Sequence, residues 1–273
     1  MPQCNSSNKL RREVVGLIPA AGVAMRIAPL PCSKELYPIG FRATAEGPRP
    51  KAICHYLLEK MRLADITKAY VILRSGKWDI PAYFGDGALV DMHLGYLLMR
   101  LSHGAPYTLD QAYPFVQDAV VAMGFPDILF QPDDAFVHLL ARQDATQADV
   151  VLGLFPTKRP ETADMVDFDP SGQVRQILIK PAQTQLHYTW MIAVWTPVFT
   201  RFMHDYLVDI ETTRNRLGGQ SPIGREVFVG DVIQAGTVAG LRVDSVLFAS
   251  GVCLDIGIPD NLVEAVQRWG QEV

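Results

Sequence analysis

Apolar residues are grouped along this chain in short blocks, and the period within each block names the element it builds. Residues 14–19 (VVGLIP) and 69–73 (AYVIL) are near-continuous apolar runs, which predicts strands buried on both faces. Residues 127–130 (DILF) and 150–155 read the same way. Residues 51–63 place Ile53, Tyr56, Leu57, Lys60 and Met61 at helical spacing, just after Arg49-Pro50, a dipeptide suited to a helix start. Residues 110–123 carry a helix-like pattern despite Pro114, ended by Gly124, and residues 135–141 predict a short helix. Residues 90–101 fit strand and helix equally, and Gly85-Asp86-Gly87 reads as a turn.

The grammar changes in the second half. Residues 165–169 and 173–179 flank Pro170-Ser171-Gly172 and predict a β-hairpin. Residues 190–195 and 241–248 predict strands, residues 197–210, 225–235 and 261–269 helices, and residues 211–224 a loop. Strand–helix alternation in the first half predicts a mainly parallel sheet, and the hairpin makes it mixed. The pattern therefore predicts an α/β fold: one domain over residues 13–273 behind a polar tail at 1–12. The sequence carries no internal repeat, hexapeptide array or linker.

Composition narrows the function classes. At 273 residues and 49% apolar the chain can bury a proper core, and a net charge of −4 argues against nucleic acid as the main partner. Cys4, Cys32, Cys54 and Cys253 are widely spaced without CxxC, so neither a zinc site nor a disulfide framework is implied. The six histidines show no metal spacing, and no Ser/His/Asp order suggests a hydrolase. The N-terminal stretch lacks a secretory apolar core, and no run reaches the roughly 18 apolar residues of a membrane span. The expectation is a cytoplasmic protein without a membrane partner.

The first predicted strand runs into small residues, Ala20, Ala21, Gly22, Val23 and Ala24, followed by Arg26 and Lys34. Small residues let backbone N–H groups approach a phosphate chain, and the two cations supply charge where a leaving group becomes more negative. Neither GxxxxGK[ST] nor GxGxxG follows the strand, which disfavours a dinucleotide-dependent oxidoreductase. Open α/β sheets bind ligands at the carboxyl ends of their strands. Two further chemical groups are expected there. Asp133 and Asp134 follow the strand predicted at 127–130, and Lys180 follows the hairpin. A carboxylate in that place serves a magnesium ion or caps the next helix; here Asp134 can cap while Asp133 faces the site.

The string Pro19-Ala20-Ala21-Gly22-Val23-Ala24-Met25-Arg26, with Ser33-Lys34-Glu35-Leu36-Tyr37-Pro38-Ile39 after it, resembles the signature of the sugar-1-phosphate nucleotidyltransferases. Met25 stands where that family has a small hydroxyl residue, and Ala24 where it has Gly. Three further segments are similar to family elements. Gln131-Pro132-Asp133-Asp134 and Cys253-Leu254-Asp255-Ile256-Gly257-Ile258 are similar to its two metal-carboxylate segments, and Pro106 to Ala112 to its base-recognition segment. Residues 165–181 are similar to a hairpin ending in E-K-P, with Ile179 in place of a Glu that contacts a sugar hydroxyl.

The resemblance implies a GT-A-like, Rossmann-type nucleotidyltransferase fold with a mixed central sheet and helices on both faces. It implies Mg2+ on Asp133 and Asp255, and catalytic cations Arg26, Lys34 and Lys180. Ala20, Ala21, Gly22, Val23, Pro106 and Gln111 are then expected at the nucleotide, and Asp134 and Met191 at the sugar. The substrates would be a nucleoside triphosphate and a sugar 1-phosphate, with UTP and glucose 1-phosphate first and dTTP second. Longer strings such as PCSKELYPIGF and PYTLDQAYPFV are similar to cyanobacterial-type UDP-glucose pyrophosphorylases. A homo-oligomer is expected by the same resemblance. A non-catalytic paralogue that binds a nucleotide sugar is the alternative from another class.

Overall fold

The computed structural model describes residues 12–100, 103–218 and 220–270. β1 (Val14–Pro19) leads through two single 3-10 turns, Met25–Ile27 and Lys34–Leu36, to β2 (Pro38–Arg42) and β3 (Arg49–Ala52). Helix α1 (Ile53–Leu63), β4 (Lys68–Arg74), α2 (Asp79–Phe84) and β5 (His93–Met99) follow. Two short helices, α3 (Ala105–Asp110) and α4 (Tyr113–Val116), precede β6 (Val120–Gly124) and β7 (Ile128–Gln131). Next come α5 (Ala135–Thr146), β8 (Val150–Pro156), β9 (Met165–Phe168), β10 (Val174–Leu178) and β11 (Tyr188–Trp195). The chain continues with α6 (Pro197–Arg216), α7 (Val229–Val238), β12 (Val243–Leu247), β13 (Val252–Asp255) and α8 (Pro259–Trp269).

The main sheet runs β12-β8-β11-β6-β1-β4-β5, and β11 is antiparallel to both of its neighbours while the other pairs in this run are parallel. The β9–β10 hairpin attaches to the start of β11, where Thr189 pairs with Met165. The sheet is therefore mixed, as the pattern predicts. β7 and β13 form a separate antiparallel ribbon, and so do β2 and β3.

Alternation along β1 fills two layers. Val15 and Leu17 pack with Val116 of α4, Phe199 and Met203 of α6 and Ile233 of α7. Ile18 packs on the opposite face with Leu57, Leu58 and Met61 of α1 and Phe136 and Leu139 of α5. Helices thus cover both faces, which suits a parallel sheet whose strands carry no polar side. A third cluster joins Trp269 and Ala265 of α8 to Ile39, Leu129 and Leu254, so the apolar face of α8 is buried within its own chain.

The helix expected at 225–235 begins only at Val229, and three further elements differ from the pattern's prediction. Residues 110–123 hold the end of α3, the single-turn α4 and β6, rather than one helix. The cause is a short run, Val120 to Met123, that is wholly buried; over so few residues the helical and strand periods coincide. The run at 127–130 is a strand, but it pairs with β13 and not with the main sheet. Residues 211–216, expected in a loop, extend α6. The ambiguous stretch at 90–101 holds edge strand β5, and the polar tail expected at 1–12 falls almost wholly outside the described residues. Among the described residues, no helix is long and apolar enough to cross a membrane.

Gly16, in the middle of β1, faces α1. A Cβ there would lie 2.8 Å from the Cβ of Ala69 and 3.0 Å from Met61 Sδ. The Ala69 neighbour is fixed to a paired strand and cannot yield. Gly16→Ala is expected to lower stability by about 1–3 kcal/mol, measured as a lower urea midpoint at unchanged m-value.

Candidate active site

The carboxyl ends of β1 and β6, the amino end of β11 and the end of β10 meet around one cleft of about 400 Å³. Pro19, Ala21 and Gly22 line it from the loop after β1, and Arg26, Lys34, Asp127, Asp164, Lys180, Trp190, Met191 and Asp255 supply its chemistry. Ala24, at the head of the turn that carries Arg26, has a left-handed backbone (φ 57°, ψ 32°). That conformation costs a non-glycine residue about 1 kcal/mol, and it turns the chain so that Arg26 reaches Asp255 at 3.1 Å.

Lys34 is held from both sides. Ser33 gives its backbone N–H and its hydroxyl to the Asp79 carboxylate, each at 2.7 Å. Glu35 is buried and paired with Lys77 at 2.6 Å. Burial raises the Glu35 pKa and lowers that of Lys77, so desolvation outweighs their attraction in both. With its neighbours fixed, the Lys34 ammonium donates to Asp127. Burial opposes its charge, but Asp127 beside it prevails and the Lys34 pKa is raised. Gly22 lies against this ammonium, close enough that a Cβ there would be 3.7 Å from Nζ.

The β7–β13 ribbon brings two carboxylates together. Asp127 immediately precedes β7, whose first residue, Ile128, pairs with Asp255 at the end of β13. The Ile256 amide donates to the Asp127 carbonyl at 3.1 Å and closes this end of the ribbon. Asp255 accepts from the Gly257 amide at 2.8 Å. Burial and the nearby Asp127 charge raise the Asp255 pKa, against the pull of Arg26 and Lys34.

Asp133 is not part of this pair. It lies beyond the opposite end of the ribbon, where Gln131 pairs with Val252, about 10 Å of extended strand from the Ile128–Asp255 end. There it binds the buried Lys60 ammonium and borders a separate hollow with Phe248 and Ser250. The expectation that Asp133 stands beside Asp255 is thus corrected: the position belongs to Asp127. Misreading β6 as helix concealed it, because Gly124-Phe125-Pro126-Asp127 is the turn at the end of a main-sheet strand. Asp134 occupies the N-cap position of α5 without a capping bond, and its exposed carboxylate meets His138 at 3.2 Å instead.

Other expected residues divide between cleft and surroundings. Lys180 lines the cleft, with a left-handed backbone (φ 42°) and its ammonium 3.7 Å from the centroid of the Phe228 ring. Met191 lines it as the extra residue of a bulge between Trp190 and Ile192. Of α3, Ala105 and Thr108 face the cleft, whereas Pro106 is buried at the helix start and Gln111 is exposed, donating to the Tyr107 carbonyl. Ala20 is buried, with its amide on the Ile72 carbonyl at 2.8 Å, and Val23 points outward, 57% exposed. Sequence reasoning missed Asp127, Asp164, Glu226 and Phe228; the last two belong to the segment before α7 and carry no motif.

This donor set suits a hard divalent cation: two converging carboxylates, with phosphate oxygens left to complete the shell. Among the described residues no cluster of three or more His, Cys, Asp or Glu offers an all-protein cage.

The chain's similarity to known proteins agrees with this architecture. It superposes on a protein from Bacillus anthracis described as a putative glucose-1-phosphate thymidylyltransferase, in complex with a sucrose, with a TM-score of 0.75 at 17% identity, covering 93% of this chain and 94% of that one. It superposes on a UDP-glucose pyrophosphorylase complexed with UDP-glucose with a TM-score of 0.73 at 15% identity, covering 94% and 98%. At such identities these likenesses establish the fold. No curated protein matches the sequence. The nucleotidyl transferase family profile matches residues 15–272. A profile match over nearly the whole length, on a fold that gathers cations and paired carboxylates at its strand ends, places this chain in the nucleotidyl transferase family.

Proposed function

We propose that the protein is a sugar-1-phosphate nucleotidyltransferase that joins UTP and glucose 1-phosphate into UDP-glucose with release of pyrophosphate. The observation that carries this reading is the convergence of Arg26, Lys34, Lys180, Asp127 and Asp255 on one cleft beside a small-residue loop. A sugar phosphate oxygen attacks the α-phosphorus, the bond to the β-phosphate breaks, and the pyrophosphate departs with the negative charge. Such transfers depend on positioning and charge neutralisation rather than on a side-chain nucleophile.

The residues divide that work. The amides around Ala21 and Gly22 approach the triphosphate, and Lys34 and Arg26 neutralise the leaving pyrophosphate. Lys180 holds the sugar phosphate, its backbone fixed by the end of the hairpin. Asp127 and Asp255 would hold a magnesium ion, which supplies charge neutralisation at the phosphates when bound. The second substrate reading is dTTP, supported by the similarity to a thymidylyltransferase at almost the same TM-score as the uridylyl enzyme.

The direct test is pyrophosphate release with Mg2+ and glucose 1-phosphate across UTP, dTTP, ATP, CTP and GTP. UTP is expected to give the highest kcat/KM; a dTTP preference would move the substrate and keep the chemistry. Arg26→Ala is expected to lower kcat by about 100-fold or more, and near-normal turnover in that variant would remove the reading.

The two carboxylate positions separate by metal demand. Asp127→Asn is expected to raise the Mg2+ concentration for half-maximal rate at least about tenfold, whereas Asp133→Asn should leave it within twofold. Chelation should abolish turnover in the wild type, and added Mg2+ should restore it. Equal Mg2+ dependence in the two variants would return Asp133 to the site.

A further inference from the structure

Beyond the charged centre, the cleft holds two polar groups without a hydrogen-bond partner among the described residues. Asp164 Oδ1 and Trp190 Nε1 are both shielded from water, and neither has a hydrogen-bond partner among the described residues. Buried polar groups are normally paired, so an unpaired acceptor and an unpaired donor lining one cleft call for an explanation.

Sheet register shows that these groups are neighbours. Thr189 pairs with Met165, so the antiparallel register sets Trp190 opposite Asp164. On the other side Leu178 pairs with Met165, which sets Ile179 opposite Asp164 as well. Directly opposed residues project to the same face with Cβ atoms about 5 Å apart. Ile179, Asp164 and Trp190 therefore form one cross-strand row. α7 covers part of it with Gly230, where a Cβ would collide with Asp164 Oδ2 and lie 2.7 Å from Ile179 Cδ1. Gly230 thus leaves the room that the carboxylate occupies. Lys180, next in the chain after the row, brings its ammonium to the same cleft.

An unpartnered acceptor and an unpartnered donor in one cross-strand row match a group that both donates and accepts. A sugar ring hydroxyl does this, and Lys180 stands by for the phosphate that such a sugar carries. We infer that Asp164 is the specificity-determining residue for the sugar: its carboxylate accepts a hydrogen bond from a ring hydroxyl that in turn accepts one from Trp190 Nε1. This assignment rests on the sugar-1-phosphate reading above. It places the carboxyl one strand away from position 179, where this chain has an isoleucine that packs on the main core.

The surroundings of Asp164 mark the carboxylate as held at a stability cost. Burial raises its pKa to about 6, with Asp231 adding to the rise and Lys180 and Arg225 opposing it; Glu226 lines the same cleft. A carboxyl with a raised folded-state pKa destabilises the fold when ionised. That loss sets in as pH rises above the ordinary value near 3.9 and is complete above about 6. Asp164→Asn should accordingly be at least as stable as wild type at pH 8, so the variant tests function without loss of fold.

The experiment is steady-state kinetics with glucose 1-phosphate and its monodeoxy analogues in wild type, Asp164→Asn and Asp164→Ala. For Asp164→Ala, the KM for glucose 1-phosphate is expected to rise about tenfold or more, with the nucleotide KM within twofold. Wild type should discriminate against one deoxy position, and Asp164→Ala should lose that discrimination. The ratio of sugar-phosphate KM in Asp164→Asn to that in wild type should fall as pH drops below about 6, where wild type loses its charged acceptor. The second ionisation of the substrate phosphate, also near 6, acts on both proteins alike and cancels in the ratio. An unchanged sugar-phosphate KM in both variants of an active enzyme would overturn this assignment alone. A wild type inert with every nucleotide and sugar phosphate would overturn it together with the function on which it rests.

Discussion

The site depends on holding two carboxylates side by side in a partly buried place. Asp127 and Asp255 repel, and burial alone already disfavours the charge of Asp255. Such a pair persists only if the backbone forces it and nearby cations offset it. The β7–β13 ribbon does the first: Asp255 pairs with Ile128, and the Ile256 amide holds the carbonyl of the adjoining Asp127. Lys34 and Arg26 do the second. Arg26 contributes little to stability, because its side chain is 60% exposed and such pairs are screened by water. Lys34 is mostly buried, so its ion pair binds the first signature turn to the ribbon. The same four charges, two of each sign, form a nearly balanced set within the cleft.

The antiparallel strand β11 gives the cleft its second half. A wholly parallel sheet presents only strand ends at its ligand-binding edge. β11 instead starts there, and its Trp190 and Met191 line the cleft from within the sheet, with a bulge at Met191. The β9–β10 hairpin extends that wall and ends in Lys180, whose left-handed backbone points the chain out of the hairpin. The half that carries Arg26, Lys34, Asp127 and Asp255 thus faces a half built from β9, β10 and β11. The reaction proposed here, between two anionic substrates, needs such a division, since each phosphate requires its own cation.

Much of this was legible in the sequence because it rests on long or strongly marked patterns. β1, with the small-residue loop, Arg26 and Lys34 after it, is a continuous apolar run followed by unusual punctuation. The hairpin is marked by Pro170-Ser171-Gly172, and Lys180 follows from it. Asp255 is legible only through the resemblance of residues 253–258 to a family segment, and the Gly257 amide of that segment donates to its carboxylate. Asp127 was not found, for a physical reason. β6 is five residues long and buried on both faces, so it shows no alternation, and the preceding Tyr-Pro-Phe-Val turn lends it a helical spacing. Taking β6 for helix left β7 as the candidate main strand and moved the expected carboxylate from its front end to its far end. A single secondary-structure error therefore displaced a chemical group by the length of one ribbon strand. Glu226 and Phe228 were beyond reach altogether, because their place in the cleft is set by how α7 docks on β10 and not by any local pattern.

The departures from the family signature bear on whether the chain has kept its chemistry. Met25 is 76% exposed, so its side chain leaves the loop rather than obstructing it. Ala24 accepts the left-handed backbone that a glycine would adopt freely, which shows that the loop path is retained at some energetic expense. Met191 occupies a bulge, where an extra residue already breaks the sheet's register. None of these three changes removes a charge from the cleft; Ile179, in place of the family's Glu, is the one departure that does. The chemical groups remain: a buried Lys34 bound to one carboxylate of a repelling pair, Asp164 with an Oδ1 that has no partner among the described residues, and Lys180 set over an aromatic ring. Asp164 costs stability when ionised, because burial raises its pKa, and a protein relieved of selection for this chemistry would be more stable without it. Their joint presence weighs against a protein that merely binds a nucleotide sugar and in favour of one that transfers a nucleotidyl group.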